Sequence, residues 1–237
     1  MPKAIITDIE GTTTDIDFVH QVLFPYAAKH LPSFVRQNAG EPEVRACLQQ
    51  TLETMKNENQ SRSSHHSDED SAIAQLLEWI EEDRKHPALK SLQGMIWKKG
   101  YEEEAYHPHV YDDVPLAFKE WQQQGITLGI FSSGSVEAQQ YLFRYSMAGD
   151  LTPYFSHYFD TRIGAKREKE SYHHIQEALN LPANQILFLS DIPAELEAAS
   201  AAGLQVIHVR RDERTPASQF KTVSSFSEIA LSCASPA

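Results

Sequence analysis

Short apolar runs recur along the chain between longer stretches in which polar residues predominate. Four runs are apolar at nearly every position: Ala4 to Ile6, Ile126 to Phe131, Ile186 to Leu189 and Leu204 to Ile207. A run without alternation predicts a strand that is buried on both faces, which is typical of a parallel sheet. We expect a further strand near His157 to Phe159.

Helical patterns occupy the gaps between these runs. After the second run, one helix face is predicted by the i, i+3, i+4, i+7 spacing of Ala138, Tyr141, Leu142 and Tyr145. After the third run, Pro193 marks the start of an alanine-rich helix. The alternation predicts an α/β fold with a doubly wound, Rossmann-like parallel sheet, whose functional site lies at the carboxyl ends of the strands.

The stretch between the first and second runs has a different, helical character. Two sets of apolar residues recur there at helical spacing, namely Val44, Leu48, Leu52 and Met55, and Ile73, Leu76, Leu77 and Ile80. We therefore predict three regions: an α/β core of residues 1–16 and 105–225, an inserted helical domain of residues 17–104, and a C-terminal tail of residues 226–237.

Composition and charge narrow the class of protein. Hydrophobic residues make up 41% and charged residues 23% of the 237-residue chain, as in ordinary soluble globular proteins. The formal net charge of −12 would repel nucleic acid and anionic lipid. The chain has no apolar run of about eighteen residues and begins without a signal-peptide pattern. We expect a cytoplasmic, monomeric protein whose partner is a small molecule, not nucleic acid or a membrane.

Polar residues follow the predicted strands where the strands end. Asp8 and Glu10, spaced i, i+2 after the first strand, point the same way, and Gly11 with three threonines supplies donors for an anion. A solvated turn or a helix cap would explain the same residues.

The later strands are followed by similar groups. Ser132 and Ser133 precede a helix, where a phosphate oxygen could bind, although ordinary N-capping by serine is also possible. Asp191 follows the strand at Ile186 to Leu189 and could likewise cap its helix, with Glu195 four residues further on. Lys166 precedes another helix, and a lone lysine is usually solvated.

The order of these residues resembles the haloacid dehalogenase superfamily. The family's motifs are Asp-x-Asp, a Ser or Thr after a strand, a Lys and an acidic residue, and they match Asp8, Ser132, Lys166 and Asp191. The resemblance implies a phosphohydrolase with one Mg²⁺ per subunit, bound by Asp8, Asp191 and the main-chain oxygen of Glu10. It also implies that the helical insert is the mobile cap that many members carry.

The same resemblance implies a role for each remaining residue. Asp8 would be the nucleophile that takes the phosphoryl group, and Glu10 an acid/base that protonates the leaving oxygen and later deprotonates water. Lys166 would be catalytic and bind phosphoryl oxygens, while Ser132 and the N–H of Ser133 would hold the phosphoryl group.

Glu10 departs from the commoner pattern, because most phosphatases of the superfamily have a second Asp there. With this departure the chain resembles the enolase-phosphatase family of methionine salvage, the acireductone synthases. The likeness runs from Ala4 to Val209 and is carried by Asp8 to Thr13, Asp17 to Val19, Val22 to Tyr26, Met95 to Tyr101, Tyr111 to Pro115, Ser132 to Gln139 and Phe159 to Gly164. It implies conversion of 2,3-diketo-5-methylthiopentyl-1-phosphate to the acireductone through an enol phosphate and an aspartyl-phosphate at Asp8.

Other functions fit part of the pattern. The nearest is a capped member of the superfamily that acts on another small phosphate monoester. A dehalogenase has no use for an acid/base at Glu10 or a metal ligand at Asp191. A receiver module lacks a large insert after the first strand, and a non-catalytic binding protein has no reason to align these residues. The enolisation base is unassigned, with candidates by position at Trp97, Lys98, Lys99, Tyr101 and Glu102 to Glu104, although a solvated helix face better explains the acidic run. His107 and His109 lie in the linker, where a hinge role explains them as well as a chemical one.

Overall fold

The computed structural model describes residues 1–58 and 67–231. These form two compact units: Met1–Phe18 together with the residues from His107 onward, and Val19–Tyr106. In chain order the elements are β1 (Ala4–Thr7), α1 (Ile16–Phe18), α2 (Phe24–Asn38), α3 (Pro42–Asn57), α4 (Asp68–Glu81), α5 (Pro87–Glu102), α6 (Asp113–Gln123), β2 (Thr127–Phe131), α7 (Val136–Arg144), β3 (His157–Phe159), α8 (Lys169–Leu179), β4 (Ile186–Ser190), α9 (Pro193–Ala201), β5 (Gln205–Val209) and β6 (Thr222–Val223).

The first unit contains a parallel sheet in the order β3-β2-β1-β4-β5-β6. The five predicted strands and the α/β class are confirmed. Strand β6 was not predicted, because two residues are too few to show a hydrophobic period. It is recognised only through its pairing with β5, at His208 with Thr222 and Val209 with Val223.

Apolar side chains cover both faces of this sheet. Consecutive residues of β1 serve opposite faces: Ile5 packs in a cluster with Phe118 of α6, and Ile6 in a cluster with Tyr172 of α8 and Leu196 of α9. This burial on both faces explains why the strands are apolar without alternation.

Within residues 226–231 of the predicted tail, two side chains are buried. Phe226 and Ile229 lie in the same cluster as Phe118. A capping box between Ser225 and Glu228 orders this segment. The six remaining residues of the predicted tail, 232–237, lie outside the described residues.

The second unit contains α2 to α5, which pack around their own core. Its fully buried side chains include Leu31, Leu76, Trp79 and Leu92. The two predicted apolar faces are present as helical faces: Val44 and Met55 in α3 and Ile73, Leu76 and Ile80 in α4 are buried, while Leu48, Leu52 and Leu77 are half-buried. Across residues 1–58 and 67–231, no helix is both long and apolar enough to cross a membrane.

Candidate active site

Asp8 lies at the centre of the carboxyl edge of the sheet. It directly follows β1, whose neighbours are β2 and β4, and its N–H donates to the carbonyl of Leu189 at 2.9 Å. The residue is only 3% exposed. Its Oδ1 accepts a hydrogen bond from the N–H of Ile9 at 2.7 Å and lies 2.6 Å from Nζ of Lys166.

Lys166 is not the solvated lysine that its sequence context allowed. Its side chain is 10% exposed, and Nζ lies between Oδ1 of Asp8 at 2.6 Å and Oε2 of Glu195 at 2.8 Å. Burial alone would lower the pKa of Lys166, but the two carboxylates outweigh burial and leave that pKa raised. The ammonium ion is therefore the stable form beside Asp8.

The loop that carries Lys166 is held from its main chain. The Tyr172 hydroxyl donates to the carbonyl of Lys166 at 2.6 Å, and the Ser171 hydroxyl donates to that of Ala165 at 2.6 Å. Gly164 has a φ of 139°, and a Cβ there would clash with Ser171. Glycine is required at this position because both its backbone angle and its contact exclude a side chain.

Glu10 and Ser132 approach each other from neighbouring strands. The Ser132 hydroxyl donates to Oε2 of Glu10 at 3.4 Å and accepts the N–H of Gly134 at 3.1 Å. Burial, followed by the charge of Asp8, raises the pKa of Glu10. A carboxyl group of this kind is suited to carry a proton.

Helix capping does not explain Ser132 or Asp191. The cap of α7 is Ser135, whose hydroxyl accepts the N–H of Ala138 at 3.2 Å. Helix α9 begins after Ile192 and has no side-chain cap. Both Ser132 and Asp191 are therefore available for another role.

Asp191 is tied to the loop after β1. The Thr12 hydroxyl donates to Oδ1 of Asp191 at 3.3 Å and accepts the Asp191 N–H at 3.0 Å. Gly11 has a φ of 75°, and a Cβ there would lie 2.7 Å from Cγ of Asp191. Burial and the charge of Asp8 raise the pKa of Asp191 to about 7. The negative charge of Asp8 therefore opposes ionisation of Asp191.

Three residues complete this arrangement without having been assigned a role from the sequence. Oε2 of Glu195 accepts from the Ser190 hydroxyl at 2.9 Å as well as from Lys166. His208 donates from Nε2 to the carbonyl of Asp191 at 3.1 Å, and Arg211 donates from Nε to the carbonyl of Thr12 at 2.9 Å. The position of Glu195, four residues after Asp191, could have indicated from the sequence that it lies at the site. Arg211 follows a strand in a loop without any such pattern.

The segment that returns from the second unit runs beside the loop after β1. Nδ1 of His109 accepts the N–H of Asp15 at 3.1 Å, and the N–H of Tyr111 donates to the carbonyl of Thr13 at 3.1 Å. His109 thereby orders the loop. Ser133 is exposed, and its predicted contact with the phosphoryl group stays a prediction.

The donor set suits a hard divalent cation. In residues 1–58 and 67–231, no group of three His, Cys, Asp or Glu side chains is placed to hold a metal ion. The predicted ligands are two carboxylates, of Asp8 and Asp191, with a main-chain oxygen of Glu10, so a third side chain is not required. Oxygen donors of this kind fit Mg²⁺, which commonly keeps several waters.

Comparison with known proteins decides the family. A family model described as haloacid dehalogenase-like hydrolase matches residues 2–203. The chain belongs to this family. Among curated proteins, the enolase-phosphatase E1 of Pectobacterium carotovorum is 50% identical over 231 residues, with 98% of each chain covered, and that of Pseudomonas aeruginosa is 49% identical, with 97% of this chain and 98% of the relative covered.

Solved structures share this fold. The crystal structure of the UTR4 protein of Saccharomyces cerevisiae superposes with a TM-score of 0.79 at 32% identity and covers 97% of this chain and 100% of its own. CbbY of Rhodobacter sphaeroides, solved in complex with phosphate, has a TM-score of 0.60 at 17% identity over 96% of each chain, which shows the fold alone. The resemblance to enolase-phosphatases is confirmed.

Proposed function

We propose that this hydrolase is the enolase-phosphatase of methionine salvage, converting 2,3-diketo-5-methylthiopentyl-1-phosphate to the acireductone and phosphate. Its full-length relationship to enolase-phosphatases supports the reaction. The observation that carries the phosphatase half is the buried carboxylate of Asp8, paired with Lys166 at 2.6 Å beside Glu10.

The geometry suits Asp8 as the nucleophile. Lys166 and the N–H of Ile9 both contact Oδ1, and no hydrogen bond from the described residues reaches Oδ2. Oδ2 is therefore the oxygen that forms the new bond to phosphorus while the bond from phosphorus to the substrate oxygen breaks. The ammonium of Lys166 offsets the charge that gathers on the phosphoryl oxygens, and Ser132 and the N–H of Ser133 hold the phosphoryl group.

Glu10 acts as the general acid in the first phosphoryl-transfer step and as the general base in the second. In its protonated form, favoured by its raised pKa, Glu10 gives a proton to the departing enolate oxygen. The resulting carboxylate then takes a proton from the water that attacks the aspartyl-phosphate, and phosphate and free Asp8 are released. Ser132 orients the Glu10 carboxyl through its hydrogen bond.

Magnesium binding is part of the same proposal. Asp8, Asp191 and the main-chain oxygen of Glu10 would hold Mg²⁺, which when bound would supply positive charge to offset the negative charges of the carboxylates and the phosphate. The raised pKa of Asp191, caused by burial and by the charge of Asp8, supports a cation beside these carboxylates.

The remaining assignments extend the proposal to the whole protein. Residues 17–104 act as the cap, and the enzyme works as a cytoplasmic monomer on a small phosphate substrate. The enolisation base stays unassigned among the candidates between Trp97 and His109. Of these, Trp97 donates its indole N–H to the carbonyl of Leu23 at 2.8 Å, and Tyr101 is buried.

Following both half-reactions together tests the function. The purified enzyme is incubated with the diketo phosphate and Mg²⁺ while ultraviolet absorbance reports the enol and a colorimetric assay reports phosphate. We expect both products. The alternative is a phosphatase that acts on another small phosphate monoester. It would be supported if such monoesters gave a higher kcat/KM than the diketo phosphate and the diketo phosphate gave no enol absorbance.

A further inference from the structure

Arg211 is a buried arginine outside the motifs that identified the family. It follows β5, and its side chain is 6% exposed. The guanidinium carbon lies 4.3 Å from the ring centroid of Tyr111 and 4.8 Å from that of Phe226. Two aromatic rings thus fix the position of the guanidinium plane.

The same guanidinium connects two parts of the first unit. Nε donates to the carbonyl of Thr12 at 2.9 Å, and Nη1 donates to Oδ1 and Oδ2 of Asp113 at 3.0 and 2.8 Å. Nη1 also reaches the carbonyl of Ser224 at 3.2 Å. Asp113 itself accepts from the hydroxyl of Ser225 at 2.9 Å.

Thr12 carries this connection to the active site. It is fully buried, and while Arg211 holds its carbonyl, its hydroxyl both donates to Oδ1 of Asp191 and accepts the Asp191 N–H. Asp113, Arg211, Thr12 and Asp191 therefore form one continuous series of hydrogen bonds. A shift of the Thr12 carbonyl would move the hydroxyl that orients the Asp191 carboxylate.

The orientation of Arg211 leaves one of its own donors unsatisfied. Nη2 is buried and has no hydrogen-bond partner within the part of the chain that the structure describes. A buried donor without a partner carries a free-energy cost. An ion pair with Asp113 alone does not demand this orientation, whereas simultaneous contact with Thr12 and Asp113 does.

We propose that Arg211 is a positioning residue that fixes Thr12 and, through Thr12, the carboxylate of Asp191 that binds Mg²⁺. The proposal rests on the proposed function, since it takes Asp191 as a metal ligand. It predicts that the forked guanidinium, not merely its positive charge, is needed. A lysine ammonium is a compact donor on a flexible stem and cannot reproduce this planar fork.

The test compares Arg211→Lys and Arg211→Met with Ser225→Ala. Ser225→Ala removes another hydrogen bond to the same Asp113 but leaves the Arg211–Thr12 contact in place, which makes it a matched control. Each protein is assayed with the diketo phosphate at a temperature well below its own Tm. The assay gives kcat, KM and the Mg²⁺ concentration at half-maximal turnover. Without substrate, the rise in Tm on adding Mg²⁺ gives a second measure of metal binding.

We expect both Arg211 variants to need about 10- to 100-fold more Mg²⁺, the usual effect of losing a group that orients a metal ligand. Their Mg²⁺-induced rise in Tm should shrink, with a smaller change in KM. Ser225→Ala should lower Tm while its Mg²⁺ requirement stays within about twofold of wild type. Arg211→Lys keeps the charge and most of the stem, so it carries the test if Arg211→Met does not fold.

Two outcomes would overturn the inference. One is an Arg211→Lys enzyme with a wild-type Mg²⁺ requirement and a lowered Tm, which would make Arg211 purely structural. The other is an equal rise in Mg²⁺ requirement for Ser225→Ala, which would point to general loosening. Failure of the proposed function is distinguishable, because wild type itself would then show no Mg²⁺-dependent turnover.

Discussion

Glu10→Gln separates the two halves of the proposed reaction. The amide keeps the shape of the side chain and an oxygen that can accept from Ser132, but it cannot give or take a proton. If Glu10 is the acid/base, phosphate release should fall by about 10²- to 10⁴-fold, the usual contribution of a positioned acid/base. That fall equals about 2.7 to 5.4 kcal/mol in activation free energy at about 1.36 kcal/mol per factor of ten.

The hydrogen bond from Ser132 to Glu10 limits how much the loss of that contact alone could slow phosphate release. Its hydrogen bond from Ser132 is long, at 3.4 Å, and a typical hydrogen bond contributes only about 0.5–1.5 kcal/mol. Losing that contact altogether would slow the reaction by about tenfold at most. A larger effect therefore requires loss of proton transfer.

The assay follows enol absorbance and phosphate release from one sample of the diketo phosphate. In Glu10→Gln we expect the enol phosphate to form, accumulate and decay slowly, because the enolisation base is placed elsewhere. Glu10→Asp is the matched control, since it restores an acid one methylene shorter and should recover part of the phosphate release. Loss of enol formation in step with phosphate release would refute this division of roles and make Glu10 the enolisation base or a metal ligand.

Three further changes test other parts of the site and its support. Asp8→Asn should abolish phosphate release with an unchanged circular dichroism spectrum, because an amide has no anionic oxygen to attack phosphorus; turnover above about a hundredth of wild type would leave Asp8 only a ligand. Asp191→Ala should raise the Mg²⁺ requirement sharply, and EDTA should silence the wild-type enzyme until Mg²⁺ is restored; full activity in chelator would contradict the metal assignment. Asp113→Asn should lower the free energy of unfolding by about 1–3 kcal/mol, as measured by urea denaturation near neutral pH. Burial opposes ionisation of Asp113, but its bonds to Arg211 and Phe226 leave its pKa lowered, so the wild-type advantage is present above the ordinary aspartate pKa and is lost as pH falls through the lowered one. If the difference in free energy of unfolding between wild type and Asp113→Asn instead grew as pH falls, the predicted pH dependence would be wrong.

Much of the fold was readable from local pattern. Runs such as Ile186 to Leu189 are apolar at every position because both faces of the sheet are covered, and this signal needs no knowledge of the partners. The helical spacing in α3 and α4 was readable for the same reason. The two-residue strand β6 and the buried Phe226 were not, since their state depends on β5 and α6 rather than on neighbours in sequence.

The order of Asp8, Ser132, Lys166 and Asp191 along the chain was sufficient to predict the family and the reaction class. Only the tertiary structure excluded helix capping by Ser132 and a solvated Lys166. Ser135 caps α7 instead of Ser132, and Lys166 is buried between two carboxylates. Arg211 shows the limit most clearly. Thr12 and Arg211 are bonded across 199 positions of sequence, and no local pattern encodes such a contact, because it arises only when β1, β4 and β5 lie side by side in the sheet.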